Sequence, residues 1–452
     1  MYEHPVPSLP RVAPARRHRL AYALLALSGL SYMVLGYATP RTSFTLLLVL
    51  FTCCFGGYLY ITNHRINLWH GIAAAILFRV LLLFATPALS FDYLRLLWDG
   101  HVLAAGLNPY AHLPATLLPN TLQVAGITRT EKWHLIAPAA YSTNLPVALA
   151  VGWLGAKLSS GNLQGSVVII RLVLVLADIG SILLLLRLLR KMAVPEKHLL
   201  LYALNPLVIL ELTGNLHTEA LLIFFLLLTL LLLFQLRVVP AGLAFGLAIG
   251  VKLLPLLFLP FVLRRLSARQ FAVFGLVLLL TLAGLFFPLL STVNPAQFLT
   301  LYFQQPSFNA SLYYVLRWLA MQVALPKLVP LLPLLLAAAT AGAILSMAAV
   351  KRLGSTHRLM GYMAATLTVC LLLNTTVQPW HIPLLLALTI VSHFRFAVVW
   401  SGLIILPYAA YHTQPVAEHL LLTALEHGLV IAWMLAELYL YRQRRKQANL
   451  VS

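Results

Sequence analysis

The chain has 452 residues, of which 61% are hydrophobic and only 9% charged, where soluble domains carry about a quarter charged residues. So little polar surface excludes a water-soluble globular enzyme and leaves one integral membrane domain, residues 1–452. Lys plus Arg number 31 against 11 Asp plus Glu, a net charge of +20, and in such a chain that excess bears first on orientation in the bilayer.

Taken in chain order, a basic N-terminus (Arg11, Arg16, Arg17, Arg19) leads into an apolar run at 20–38. The run is long enough to span, so an uncleaved first helix is expected rather than a signal peptide. Apolar runs follow at 44–62 and 70–88. Residues 89–144 form the longest polar connection, expected as an extracytoplasmic loop, and 145–158 is too short for a full crossing. Further runs cover 165–188, 197–213 and 217–236. The stretch 240–263 contains Gly242, Gly246 and Gly250 with Pro240, Pro255 and Pro260, which predicts a broken helical hairpin turning near Lys252, with close helix packing at the glycines. The last runs are 270–290, 328–350, 358–374, 379–393, 397–412 and 418–441. The expected fold is all-α, a polytopic transmembrane bundle of about 12 spans plus the broken hairpin. Cys53, Cys54 and Cys370 lie in apolar runs and suit packing rather than a disulfide framework or a zinc site.

The positive-inside rule gives the orientation. With the N-terminus cytoplasmic and the hairpin counted as no net crossing, twenty-one of the 31 basic residues fall at the inner face. The C-terminus is then cytoplasmic as well. The basic residues form no single patch with interleaved aromatics, which disfavours nucleic acid as a partner.

With eleven carboxylates, each can be weighed. Glu3, Glu196 and Glu437 lie in tails or near the inner face, Glu131 sits between basic neighbours, and Glu418 and Glu426 belong to the last helix. Asp178 and Glu211 interrupt apolar segments, where an unpaired charge is costly. Arg171, two turns before Asp178, is its expected structural partner.

The run from Ser90 to His101 is different. Asp92, Arg95 and Asp99 share one helical face, and Trp98 and His101 complete a dense polar cluster in a chain nearly devoid of charge. An interfacial ion pair would explain part of it. A carboxylate beside cations at a membrane interface also suits sugar-phosphate chemistry: the carboxylate takes a proton from a hydroxyl and the cations hold a phosphate leaving group.

The string SFDYLRLLWDGHVLAAGLNPYAHLP resembles the first outer loop of bacterial membrane glycosyltransferases of the GT-C fold, in particular the polyprenol-phosphate-mannose-dependent mannosyltransferases. Four further stretches are similar to that group in the same order: Asn205-Pro206-Leu207 with Gly214-Asn215-Leu216-His217-Thr218-Glu219-Ala220; Val251-Lys252-Leu253-Leu254-Pro255; Phe308-Asn309-Ala310-Ser311-Leu312-Tyr313; and Gln378-Pro379-Trp380-His381. The charge-derived topology gathers Asp92–His101, His217 with Glu219, Asn309 and Trp380 with His381 on the outer side, with Lys252 reaching toward it. Three departures stand out. His101 replaces the group's Arg, Glu219 replaces its Asp, and 136–146 lacks its Tyr-Pro-Pro run, which leaves sugar and acceptor specificity open.

The resemblance implies a bacterial inner-membrane hexosyltransferase, mannosyltransferase-like, with an extracytoplasmic active site. It implies transfer from a polyprenyl-phosphate sugar to a glycan or lipid acceptor, by single displacement with inversion. Asp92 would be the general base. Arg95, Lys252 and His101 would bind the departing phosphate, and Trp98, Asp99, His217, Glu219, Asn309, Trp380 and His381 are further candidates for substrate binding. Each has a plainer reading: bundle histidines, interface tryptophans, a lysine snorkelling from a broken helix. No spacing demands a metal, although outer-face carboxylates could hold Mg²⁺ or Mn²⁺. A lipid or solute transporter or flippase needs similar spans and sparse intramembrane charges, and an inactive envelope-assembly scaffold is the third reading.

Overall fold

The computed structural model describes residues 14–64, 66–117, 140–159, 162–290, 294–303, 306–349, 355–413 and 416–451. Much of the 89–144 connection, including Glu131 and the 136–139 part of the atypical segment, lies outside them. Among the described residues the protein is all-helical; the one β-type contact is an isolated bridge between Phe308 and Thr376.

The helices that position the site are α1 (Pro14–Tyr37), α2 (Phe44–Asn63), α3 (Leu68–Leu81), α4 (Asp92–Ala104), α5 (Pro146–Leu158), α6 (Leu163–Lys191), α7 (Glu219–Phe234), α8 (Val238–Val251), α9 (Ala268–Leu290) and α10 (Pro295–Phe303). After these come α11 (Leu332–Ala349), α12 (Thr356–Leu373) and α13 (Leu420–Val451). Among the described residues seven helices are long and apolar enough to cross a membrane, and the bent pair Pro206–Gly214 with Glu219–Phe234 makes an eighth when counted as one span. The expectation of about 12 spans is therefore too high. The missing crossings are shorter pieces. α3 has 14 residues, roughly 21 Å of helix against a hydrocarbon core of about 30 Å. Prolines divide the last apolar runs, so that Pro379–Thr389 and Phe396–His412 are also short helical stretches.

α1 and α3 run parallel: Tyr22 meets His70 at one end (2.7 Å), and at the other Tyr37 donates to the Leu81 carbonyl (2.9 Å). The glycines of α8 do what their spacing predicts. Gly242 lies against Phe274 and Val277, and Gly246 against Thr281, so α8 and α9 approach closely; Gly250 faces Val147 and Leu285. The helix then stops at Lys252, whose backbone is extended (φ −153°, ψ 151°).

Asp178 corrects the expected pairing. Its partner is Arg79 on α3 (Nε–Oδ2 2.6 Å), both fully buried, and Tyr202 donates to its other oxygen (2.8 Å). Arg171 instead gives its N–H groups to backbone carbonyls of Leu83, Ala85, Thr213 and Gly214. Sequence spacing placed the two charges on one helix face, but each found a partner across an interface.

α4 is not a solvated loop element. Tyr93, Leu94 and all of Leu96–Val102 are buried, and Gly100 packs on Gly152 of α5. A Cβ at Gly100 would come within 2.3 Å of the Gly152 carbonyl carbon, and one at Gly152 within 2.7 Å of the Leu96 carbonyl oxygen. Neither contact is with a flexible side chain, so the helices themselves must move. Gly100→Ala is expected to lower stability by about 1–3 kcal/mol, the cost of overpacking, in thermal unfolding of the purified protein in detergent. Gly56→Ala, where nothing lies within 4 Å, should leave it unchanged or raise it.

Candidate active site

Asp92, His217, Glu219, Lys252, Trp380 and His381 sit at helix ends or breaks. Asp92 is the first residue of α4, where the helix dipole favours a carboxylate, and its N–H donates to Ser90 Oγ (3.3 Å). Its neighbours Tyr93 and Leu94 are buried, whereas its own side chain is open to solvent. Protein atoms nonetheless crowd around it. Burial raises its carboxyl pKa above the ordinary carboxylate value; Lys252 lowers it, Glu219 raises it and Arg41 lowers it. Those three charges come from separate parts of the chain and act on Asp92 through space.

Lys252, at the end of α8, forms an ion pair with Glu219, the first residue of α7. Glu219 is buried and its Oε2 has no hydrogen-bond partner. Just before it the chain turns by 113°. The turn follows a π-helical segment, Ile209–Gly214, and passes through Leu216 in the left-handed region (φ 61°). A branched side chain there is strained, and π-turns of this kind gather at functional sites. The turn aims His217 inward. Its ring stacks on Trp380 (centroids 3.9 Å apart, 22° between planes), and Nε2 lies 3.4 Å from Glu211 Oε2. Glu211 also accepts from Tyr408 (2.7 Å) and Asn215 (3.1 Å). His381 Nδ1 accepts the Gln378 N–H (3.2 Å), so the neutral ring carries its proton on Nε2.

The other predicted residues of α4 have different partners. Arg95 pairs with Asp99 (2.9 Å) and donates to the Ala140 carbonyl (2.9 Å). Asp99 also accepts from Ser142 (2.5 Å) and Asn144 (2.8 Å). Together they clamp the segment 140–144 onto α4. Trp98 is buried in the core. His101, half a turn round the helix from Asp92, is buried beside Ser166 Oγ (3.3 Å), and burial lowers its pKa, so the ring is neutral at pH 7. Asn309 lies on a separate network. In the left-handed region (φ 49°), its N–H donates to Glu418 (2.6 Å), its amide to Glu426 (3.2 Å), and its carbonyl accepts from His427 (2.9 Å). The adjacent Phe308 pairs with the strand-like segment that leads to Trp380.

Sequence reasoning missed Arg41, Tyr302, Tyr408 and Tyr411, and gave Glu211 no partner. One signal was available: Arg41 is a lone cation in the short connection between the first two apolar runs, which the charge-derived topology expects on the outer side, against the charge bias. An open cleft of about 150 Å³ lies beside the clamped segment, lined by Tyr110, Tyr141, Ser142, Asn294, Gln297 and Phe298 among others. Helix α10 joins the two regions, with Gln297 and Phe298 at the cleft and the Tyr302 hydroxyl accepting the N–H of Leu253, next to Lys252 (3.3 Å). Among the described residues no three His, Cys, Asp or Glu side chains are grouped to hold a metal ion.

The family model described as Alpha-(1->6)-mannopyranosyltransferase, N-terminal domain, matches residues 11–268, more than half of the chain. The chain belongs to this family. No curated protein sequence matches it. The protein is therefore a glycosyltransferase of the mannosyltransferase class and, with its spans, an integral membrane protein. The matched part of this mannosyltransferase carries Asp92, His217, Glu219 and Lys252. Trp380 and His381 lie beyond it, yet the fold stacks Trp380 on His217.

Within this mannosyltransferase, Lys252→Met leaves Glu219 as a buried carboxylate without its cation. We expect a loss of about 3 kcal/mol, the low end for a broken buried pair because Lys252 is partly open. The double change with Glu219→Gln should recover most of it. Thermal unfolding of the three variants in detergent measures this, and equal losses in the single and double variants would argue against the pair.

Proposed function

We propose that the protein transfers a hexosyl unit, mannose, from a polyprenyl-phosphate donor to an acceptor hydroxyl on the outer side of the bacterial inner membrane. Transfer is a single displacement that inverts the anomeric carbon. The observation that carries this reading is the solvent-open Asp92 carboxylate at the start of α4, on which the Lys252–Glu219 ion pair acts electrostatically. A proton acceptor within the field of a cation is what displacement of a phosphate by a hydroxyl requires.

The acceptor oxygen attacks the anomeric carbon as the bond from that carbon to the phosphate oxygen breaks. Asp92 takes the hydroxyl proton, and the phosphate leaves with the electron pair, its new charge held by Lys252. Trp380, stacked on His217, offers an aromatic wall, and the Nε2–H of His381 a donor, for sugar or phosphate. Arg95 and Asp99 act one step back, holding α4 and the 140–144 segment in register. The cleft lined by Tyr110, Tyr141 and Gln297 suits a glycan acceptor, since aromatic faces with a few amides are the usual lining of such sites.

Asp92→Asn should cut kcat by roughly 10²–10⁴-fold, the contribution of a positioned base, while the protein stays folded. The assay is transfer of radiolabelled mannose from polyprenyl-phosphate mannose by reconstituted protein. The wild-type rate should also fall as pH drops through a pKa above the ordinary carboxylate range, because Asp92 works deprotonated and its pKa is raised. Undiminished turnover by Asp92→Asn would sink the assignment.

A further inference from the structure

Arg41 is not used by the reaction as described, yet its guanidinium lies over the ring of Phe91, the residue before Asp92, and acts on the Asp92 carboxylate. It belongs to the connection 38–43 between α1 and α2, and both helices are long and apolar enough to span. So short a link between two crossings keeps Arg41 at the membrane surface, at the depth of lipid headgroups. Its guanidinium carbon lies 3.8 Å from the ring centroid of Phe91, the residue before Asp92, and 4.6 Å from that of Tyr411. The two rings hold the cation, but contacts with ring faces leave its N–H donors for another acceptor.

Among the described residues Arg41 makes no hydrogen bond or ion pair. Asp92 and Arg41 act on each other electrostatically without forming a salt bridge, so the carboxylate does not take up the guanidinium's donors. A half-buried guanidinium held by aromatic rings with its donors unspent fits a planar or tetrahedral oxyanion better than any neutral group. Lys252 is a second cation acting on Asp92.

We propose that Arg41 receives the phosphate of a membrane-anchored lipid phosphate at headgroup depth, before and during its displacement. The proposal rests on the donor reading above and adds the residue and the route: the headgroup enters between the α1–α2 connection and the start of α4. Arg41 then holds the phosphate bidentately on the side away from Lys252.

The test is binding rather than turnover, using the full chain in bicelles with a short isoprenyl phosphate as probe and inorganic phosphate in buffer as the second arm, both read by ³¹P line broadening. Wild type should bind isoprenyl phosphate and bind inorganic phosphate far more weakly. Arg41→Gln should weaken isoprenyl phosphate binding by about tenfold or more, the loss of one charge-assisted contact. Arg41→Lys, which keeps the charge but not the bidentate grip, should fall between, and it decides the matter where the Gln variant does not fold. Unchanged isoprenyl phosphate binding in either variant overturns the assignment. Equal wild-type affinity for both probes overturns the membrane-anchored part. Binding that depends on Arg41 in a protein unable to transfer mannose would sink the proposed function and leave this site standing.

Discussion

Arg171 holds together the two segments on which the site depends. It is fully buried in the middle of the bundle, and its hydrogen bonds go to carbonyls of Leu83, Ala85, Thr213 and Gly214. These carbonyls lie where two helical segments end: just past α3 and at the close of the π-helical turn. Helix C-termini leave carbonyls unpaired and carry partial negative charge, so one guanidinium satisfies both ends. Within a few residues the first segment leads to Asp92 and the second to His217 and Glu219. Withdrawing the cation would orphan several buried carbonyls, each costing about 1–3 kcal/mol, and would release both segments of the site at once. Arg79 acts differently. Its charge is neutralised by Asp178, and it ties α3 to α6 and to the Ala203 carbonyl.

The same physics explains which parts of the molecule were legible in the sequence. A chain that avoids charge advertises the few places where it keeps it, so the cluster from Asp92 to His101 stands out without a structure, whereas Glu219 was singled out by its resemblance to a family motif. The break at Lys252 was readable because glycine and proline bracket it. Partners were not readable. The pairing of Arg79 with Asp178, nearly a hundred residues away, has no local signature, whereas the helical spacing of Arg171 and Asp178 has one that misleads. The span count failed for a related reason: hydropathy reports apolar length, but Pro379, Pro383 and Pro407 cut that length into short helices. Arg95, Asp99 and His101 show the limit of reading a helix face. Asp99 lies on the same face as Asp92, yet Ser142 and Asn144, from a segment some forty residues on, draw it into a clamp.

The site lies at breaks because only there can polar side chains leave the helix surface without meeting lipid. Inside a bilayer an irregular backbone is tolerated where it is buried in protein or lines a cavity. Here the turn at Asn215–Thr218, the stop at Lys252 and the short helical turn at Pro379–His381 converge. The strain at Leu216 fits this arrangement, since it is the residue that redirects the chain between Glu211 and His217.

Charge accounting around Asp92 favours the proposed chemistry. Asp92 and Glu219 stand against Lys252 and Arg41, so the four groups balance before a substrate arrives. A phosphodiester donor adds one negative charge, which makes proton uptake by Asp92 easier. When the bond to the anomeric carbon breaks, the leaving phosphate gains a further negative charge while Asp92 loses its own by taking the acceptor's proton. The net charge of the site is then unchanged through the step: negative charge moves from the carboxylate toward the cations already in place, with no large reorganisation required. A site with Asp92 but without cations would have to pull the proton and release the phosphate against rising repulsion. One with cations but no carboxylate would hold the donor tightly and leave the hydroxyl inactive.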